Sequence, residues 1–188
     1  MARGNSMVPF GYEEEQPKRR GTLLVFETFE EWTDHDLAIV LELARQRQFN
    51  TVVLYPQHED SLRRMNIACA VPYYKRVKNL EELVEGVSGN GAGESRITID
   101  TWEGKRKKYT PVDTSLRFLT DKYSRPYFVM MNDHYAALFA GYKGFEEWIR
   151  EVRLLVWKRF GVPLPAKLLA FTDRMDFIEE NGQEAGVN

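Results

Sequence analysis

Short apolar runs alternate with amphipathic, well-capped segments along the first third of the chain. "GTLLVFETF" (21–29) is rich in β-forming residues and reads as a buried strand. Thr33 follows as a helix N-cap, with Asp36 three residues on as a capping-box partner. The predicted helix sends Leu37, Ala38, Val40, Leu41 and Ala44 toward a core and Glu42, Arg45 and Arg47 outward, and it ends over Gln48–Asn50. "TVVLY" (51–55) reads as a second buried strand. Strand, helix and strand in this order predict a βαβ unit and a parallel pair.

Further along, "EDSLRRMN" predicts a short helix and "IACAVPYY" a third strand or extended segment. "NLEELVEGV" has Asn79 and Glu82 at capping-box spacing and predicts a helix. "SGNGAGES" (88–95) reads as a Gly/Ser loop. "RITIDTWEGKRKKYTPV" alternates around a Gly-containing turn and predicts a β-hairpin. "RPYFVMM" (125–131) reads as another strand, followed by a short helix to Ala140 and a break at Gly141–Gly144. A long helix is expected over Phe145–Phe160, with Phe145, Trp148, Ile149, Val152, Leu155 and Val156 on one face and Gly161 and Pro163 as stop signals. "AKLLAF" (166–171) reads as the last strand. The expectation is a three-layer, Rossmann-like α/β domain over 21–178, with a mainly parallel sheet and an inserted β-hairpin. Residues 1–20 read as a flexible N-terminal arm and 179–188 as a flexible tail.

Composition narrows the function classes. A chain of 188 residues, 43% hydrophobic and 29% charged, is ordinary for one soluble globular domain. The net charge of -2 gives no global attraction to nucleic acid or anionic membrane. No apolar run is long enough for a bilayer, and the N-terminal stretch lacks the apolar core of a signal peptide. The single cysteine, Cys69, excludes an internal disulfide framework, so a reducing cytoplasm is expected. Within "IACAV", Cys69 reads as a small buried residue rather than a nucleophile.

Candidate chemistry gathers where predicted strands end. Four strands lead into "TDHD" (33–36), "PQHED" (56–60), "NDHY" (132–135) and "TDRMD" (172–176), and all three histidines, His35, His58 and His134, fall in these segments. In parallel α/β sheets, ligands bind outside the carboxyl ends of the strands. The clusters therefore predict a nucleotide site with Arg63 and Arg64 near its phosphates, or a divalent-metal site built from the histidines with Asp34, Asp60 and Asp133. The third alternative is ordinary helix capping, which favours the same residues whatever the function. No His-x-x-x-His, P-loop, Gly-x-Gly-x-x-Gly or Gly-x-Ser-x-Gly occurs in the sequence.

The order "LLVFETF", "WTDHDLAIVLELA", "TVVLYP", then Arg63 and Arg64, resembles the start of nucleotidylyltransferases of the His-x-Gly-His class. In this resemblance His35 matches the second histidine of the motif, Trp32 occupies the first histidine position and Asp34 the glycine position. The late Ser/Thr-rich signature of that family has no counterpart. The resemblance implies a Rossmann-like fold and binding of ATP or CTP with Mg2+. It implies phosphate contact by His35; the nucleotide reading of the strand-end clusters adds Thr33 at the helix start and Asp133 at the later strand end as further ligand contacts. His58 and His134 would orient groups or assist proton transfer. The degenerate motif equally suits a non-catalytic interaction protein, and a metal-dependent hydrolase is the third reading.

Two further features bear on partners. "WEGKRKKYTP" (102–111) and "YYKRVK" (73–78) interleave basic and aromatic residues, a pattern that suits nucleic acid or a solvated hairpin tip. Trp157 falls off the main face of the expected long helix, beside Leu154 and Phe160, which suggests a homodimer seam.

Overall fold

Thr22–Glu27, with the sequence TLLVFE, is buried along its whole length, as expected of a central strand covered on both faces. In the computed structural model, which describes residues 20–88, 95–180 and 184–185, this strand is β1. The chain continues through α1 (Asp34–Gln46), β2 (Thr51–Pro56), α2 (Glu59–Arg64), α3 (Tyr73–Ser88) and β3 (Arg96–Ile99). Then come α4 (Trp102–Arg106), α5 (Val112–Lys122), β4 (Tyr127–Asn132), α6 (Asp133–Ala140), α7 (Phe145–Glu151) and β5 (Val152–Trp157). A short α8 (Ala166–Leu169), a 3-10 turn (Thr172–Arg174), β6 (Met175–Ile178) and β7 (Glu184–Ala185) complete the described chain. The sheet order is β3-β2-β1-β4-β5-β6-β7, parallel throughout except for the antiparallel β6–β7 pair.

Alternation along the strands divides the interior into two cores. Leu24, Phe26, Val53, Tyr55, Val129, Met131, Leu154 and Val156 face α5, α6 and α7, through Leu116, Leu119, Phe139, Phe145 and Ile149. Leu23, Val25, Val52, Leu54, Met130, Leu155 and Trp157 face α1 and α3, through Leu37, Val40, Leu43 and Leu80. The expected three-layer, Rossmann-like architecture is therefore present. The predicted start of α1 holds in detail. Asp36 Oδ2 accepts from the Thr33 backbone N–H at 2.8 Å and from Thr33 Oγ1 at 2.9 Å, and Thr33 Oγ1 accepts from the Asp36 N–H. Leu37, Val40 and Ala44 are buried as expected, but Ala38 is exposed. Gly21, at φ +70, immediately precedes β1, and a Cβ there would lie 2.2 Å from the Pro126 carbonyl oxygen.

Five expectations are corrected. The inserted hairpin does not form: Arg96–Ile99 pairs in parallel with β2, and the chain then turns into α4. Gly104 is a site of close approach rather than a hairpin turn, since a Cβ there would fall 2.2 Å from the Tyr73 ring. The long helix ends at Glu151, and "VRLLVW" is the strand β5, paired on both sides. Val152, Leu155 and Val156 continue the helical spacing set by Phe145, Trp148 and Ile149, and so short an apolar segment fits a buried strand as well as a helix. Trp157 is 1% exposed in the core, so it supplies no dimer seam. "AKLLAF" contains a helix that buries Leu168 and exposes Leu169, and the last parallel strand is "MDFI". Nor does "IACAVPYY" form a strand; α3 begins within it at Tyr73, and Asn79 lies inside that helix, donating from Nδ2 to the Trp32 carbonyl. The predicted arm over residues 1–20 and the Gly/Ser loop fall almost wholly outside the described residues.

Candidate functional site

β1 and β4 are neighbours, yet the helices that follow them lie on opposite faces of the sheet. α1 packs in the core with α3, whereas α6 packs in the core with α5 and α7. The two chains part at their carboxyl ends and leave a crevice, the position where ligands bind in parallel α/β folds. A cleft of about 360 Å³ occupies it, walled by Glu27, Asn132, His134, Tyr135, Arg159 and Phe160, with Glu30, Ile67 and Ala68 on its rim.

Its floor is a fixed polar pair. Asn132 is the N-cap of α6: its Oδ1 accepts from the Tyr135 N–H at 2.8 Å, which leaves Nδ2 to donate to Glu27 Oε1. Glu27 ends the apolar run of β1 and is 4% exposed. Burial raises its carboxyl group from the ordinary 4.5 to about 7, against the pull of Asn132 and of the Arg159 charge. Arg159 lies across the cleft, 2.8 Å from Asp36 Oδ1 and 4.6 Å over the Trp157 ring. Trp157 meets Trp32 edge-on at 6.1 Å, and Trp32 meets Phe29 at 4.5 Å. This aromatic stack fills the space beneath the β1–α1 loop, where Phe29 and Glu31 both adopt φ 57. Left-handed backbone at two non-glycine residues marks a turn held by its surroundings. Glu30 is part of that hold, because its Oε1 accepts from the Ala70 and Val71 N–H groups at 2.8 and 2.9 Å.

Phe160 is 60% exposed at the cleft mouth. Asp133 positions it: the buried carboxylate accepts from the Phe160 N–H at 3.0 Å and the Val162 N–H at 2.9 Å, and also from His134 N–H at 3.1 Å. Replacing Asp133 with alanine is expected to cost about 2 kcal/mol, the usual loss for hydrogen bonds to a charged group. Limited proteolysis should then cut residues 158–165 faster than in the wild type; an unchanged cleavage pattern would refute this role.

The sequence candidates separate in space. His134 lines the cleft. His35 is exposed on the first turn of α1, and the residue of that turn which reaches the cleft's arginine is the buried Asp36. Thr33 is occupied with capping α1. His58 caps α2, accepting at Nδ1 from the Asp60 N–H at 3.3 Å, and its Nε2 lies 3.3 Å from Glu59. Its backbone N–H donates to Glu103, a buried carboxyl that burial raises above its ordinary pKa. Arg63 pairs with Asp60 at 3.0 Å on the surface, and Arg64 lies over Tyr109 at 5.1 Å. The three histidines do not share the cleft, and among the described residues no three His, Cys, Asp or Glu side chains come together as a metal site. Sequence reasoning missed Glu27, Asp36, Asn132 and Arg159. The available signal was an acid closing an all-apolar strand and an asparagine placed to cap the helix after "YFVMM".

Fold and cleft together define a Rossmann-like α/β protein with an open crevice at its β1/β4 switch point. Solved structures with this fold include Plasmodium falciparum nicotinic acid mononucleotide adenylyltransferase complexed with NaAD, at a TM-score of 0.61 and 8% identity over 86% of this chain and 75% of that one. The same enzyme complexed with APC gives a TM-score of 0.59 and 9% identity over 85% of this chain and 75% of that chain. At such identities the likeness concerns the fold, which is the fold the sequence resemblance implied. No protein-family model and no curated protein sequence matches the chain. Among the described residues, no helix is long and apolar enough to cross a membrane.

Proposed function

We propose that this chain binds a nucleotide in the β1/β4 cleft and has lost efficient nucleotidyl transfer. The observation that carries the reading is the cleft itself, a switch-point crevice walled by Arg159, His134, Asn132 and Glu27. Phe160 offers an exposed ring for a base, and Arg159 a charge for a phosphate. His35, on the exposed turn of α1, is the proposed contact for outer phosphates. The loss of transfer follows from the same turn. Asp34 and Asp36 occupy it, so carboxylates already complement its dipole, and a phosphate there would rest on the His35 side chain rather than on the backbone N–H groups that would steady a transition state. Trp32 is locked into the aromatic stack and supplies no acid–base group.

Magnesium would arrive with the nucleotide, since no described cluster fits a resident ion and Mg2+ ordinarily uses one or two carboxylates plus substrate phosphates. Isothermal titration with ATP and CTP, with and without magnesium, is the test. Binding strengthened by magnesium and weakened at least tenfold by Arg159→Ala is expected. Failure of both nucleotides to bind at millimolar concentration would sink the proposal.

A further inference from the structure

A second cavity, of about 290 Å³, lies beneath the carboxyl ends of the strands on the α6 side of the sheet. Tyr135 lines both this cavity and the cleft. Phe26, Met65, Val112, Met131 and Phe139 give it largely apolar walls. Against that background its polar groups are conspicuous. Gln57, the first residue after β2, is 0% exposed and lines the cavity. Its amide nitrogen and oxygen are both buried without a hydrogen-bond partner, and so is the Tyr135 hydroxyl. Gln57 is not a loosely placed residue, because its carbonyl accepts from the buried Arg76 guanidinium at 2.8 Å.

Buried polar groups in native proteins are almost always paired, and burying an amide unpaired is unfavourable. Three such atoms at one apolar cavity indicate that something else pairs them. A single water occupies roughly 30 Å³ of liquid, far less than this space. At about 290 Å³ the volume lies just under the usual range for ligand pockets, about 300–1,000 Å³, and suits one ring or a fused pair.

We propose that this cavity binds a small planar molecule carrying an adjacent hydrogen-bond donor and acceptor, such as a carboxamide or lactam edge, paired with the Gln57 side chain. The Gln57 amide offers one acceptor and one N–H face, and an amide-type edge returns both in a single plane. The Tyr135 hydroxyl takes a further polar atom of the ligand, and the apolar walls cover its ring. Arg64, stacked over the half-exposed Tyr109, flanks the cavity and favours an electron-rich substituent at the solvent side. The inference does not depend on a nucleotide in the neighbouring cleft.

The test uses the full chain with 13C-labelled methionine methyls, because Met65 and Met131 both line the cavity. Benzamide, 2-pyridone and toluene serve as probes: two rings with the edge and one without. Benzamide and 2-pyridone are expected to shift both methyl signals and to bind at least tenfold more tightly than toluene. Gln57→Leu removes an unpartnered amide from the interior, so it should fold; it should weaken both amide-edged probes at least tenfold and leave toluene unchanged or tighter. Tyr135→Phe is the second variant and should weaken the same two probes severalfold. Three results would overturn the proposal: equal binding of toluene and benzamide by the wild type, undiminished benzamide binding by both variants, or no methyl shift with any probe, which would mean that the cavity holds water only.

Discussion

Arg76→Ala is expected to lower stability by about 3 kcal/mol or more, because it leaves three carbonyl oxygens without their donor, each worth roughly 1–3 kcal/mol when buried. Arg76 is 1% exposed. Its guanidinium donates to three carbonyl oxygens: Thr28 at 2.7 Å, Gln57 at 2.8 Å and Val71 at 2.9 Å. Those carbonyls belong to the loop after β1, the loop after β2 and the entry to α3. One side chain therefore ties together the carboxyl edge of the sheet, and alanine would leave its acceptors without their donor in a buried place. The planar fork matters as much as the charge. A lysine ammonium is a compact point charge and cannot reach three separated carbonyls in one geometry, so Arg76→Lys should recover little of the loss. Urea denaturation of both variants measures this. A loss below about 1 kcal/mol for Arg76→Ala would place it with ordinary surface changes and remove Arg76 as the organiser of this edge. Because Thr28 and the adjacent loops wall the cleft, ATP binding should weaken in parallel with stability.

The contrast between what the sequence foretold and what it hid has a physical basis. The first βαβ unit was legible because its signals are local: Thr33 and Asp36 cap each other three residues apart, and Leu37, Val40 and Ala44 share a helical face. β5 was not legible because Val152, Leu155 and Val156 continue the helical spacing of Phe145, Trp148 and Ile149, whereas its strand character comes from pairing with β4 and β6 on either side. Sequence grouping placed "TDHD", "PQHED" and "NDHY" after parallel strands, as the structure has them, whereas "TDRMD" leads into β6 rather than out of a strand. Within two of these segments the residues it singled out are not the buried ones. In "TDHD" the exposed His35 drew attention, whereas Asp36 is the buried partner of Arg159. In "PQHED" the histidine turned out to cap a helix, and the glutamine beside it carries the unpaired amide. Arg76 and Arg159 were hidden more deeply. Each lies in a stretch that reads as basic surface or helix, and its role depends on carbonyls or carboxylates far away in the chain.

Glu27 sets the second large effect, in the dependence of stability on pH. Its carboxyl is raised by burial from 4.5 to about 7 in the folded protein. The unfolded chain has no such burial, so between these two values the native state holds a proton that the unfolded state has released. Stability from this group is then fully present below the ordinary carboxylate pKa and is lost as pH rises through the folded value. The expected loss from about pH 4.5 to about pH 7 is of the order of 3 kcal/mol, and the slope flattens above that window. Gln in place of Glu27 keeps an acceptor for Asn132 Nδ2 and cannot ionise. Urea denaturation across the window should therefore show a shallower slope for Glu27→Gln, with the variant more stable than the wild type at about pH 8 by a similar amount. The same ionisation places a negative charge beside the proposed phosphate contact Arg159, so wild-type ATP binding should weaken from about pH 6 to about pH 8 while Glu27→Gln binding stays level. Parallel stability slopes in the two proteins would show that Glu27 does not hold a proton near neutrality, and the pH-dependent part of the reading would fall with it.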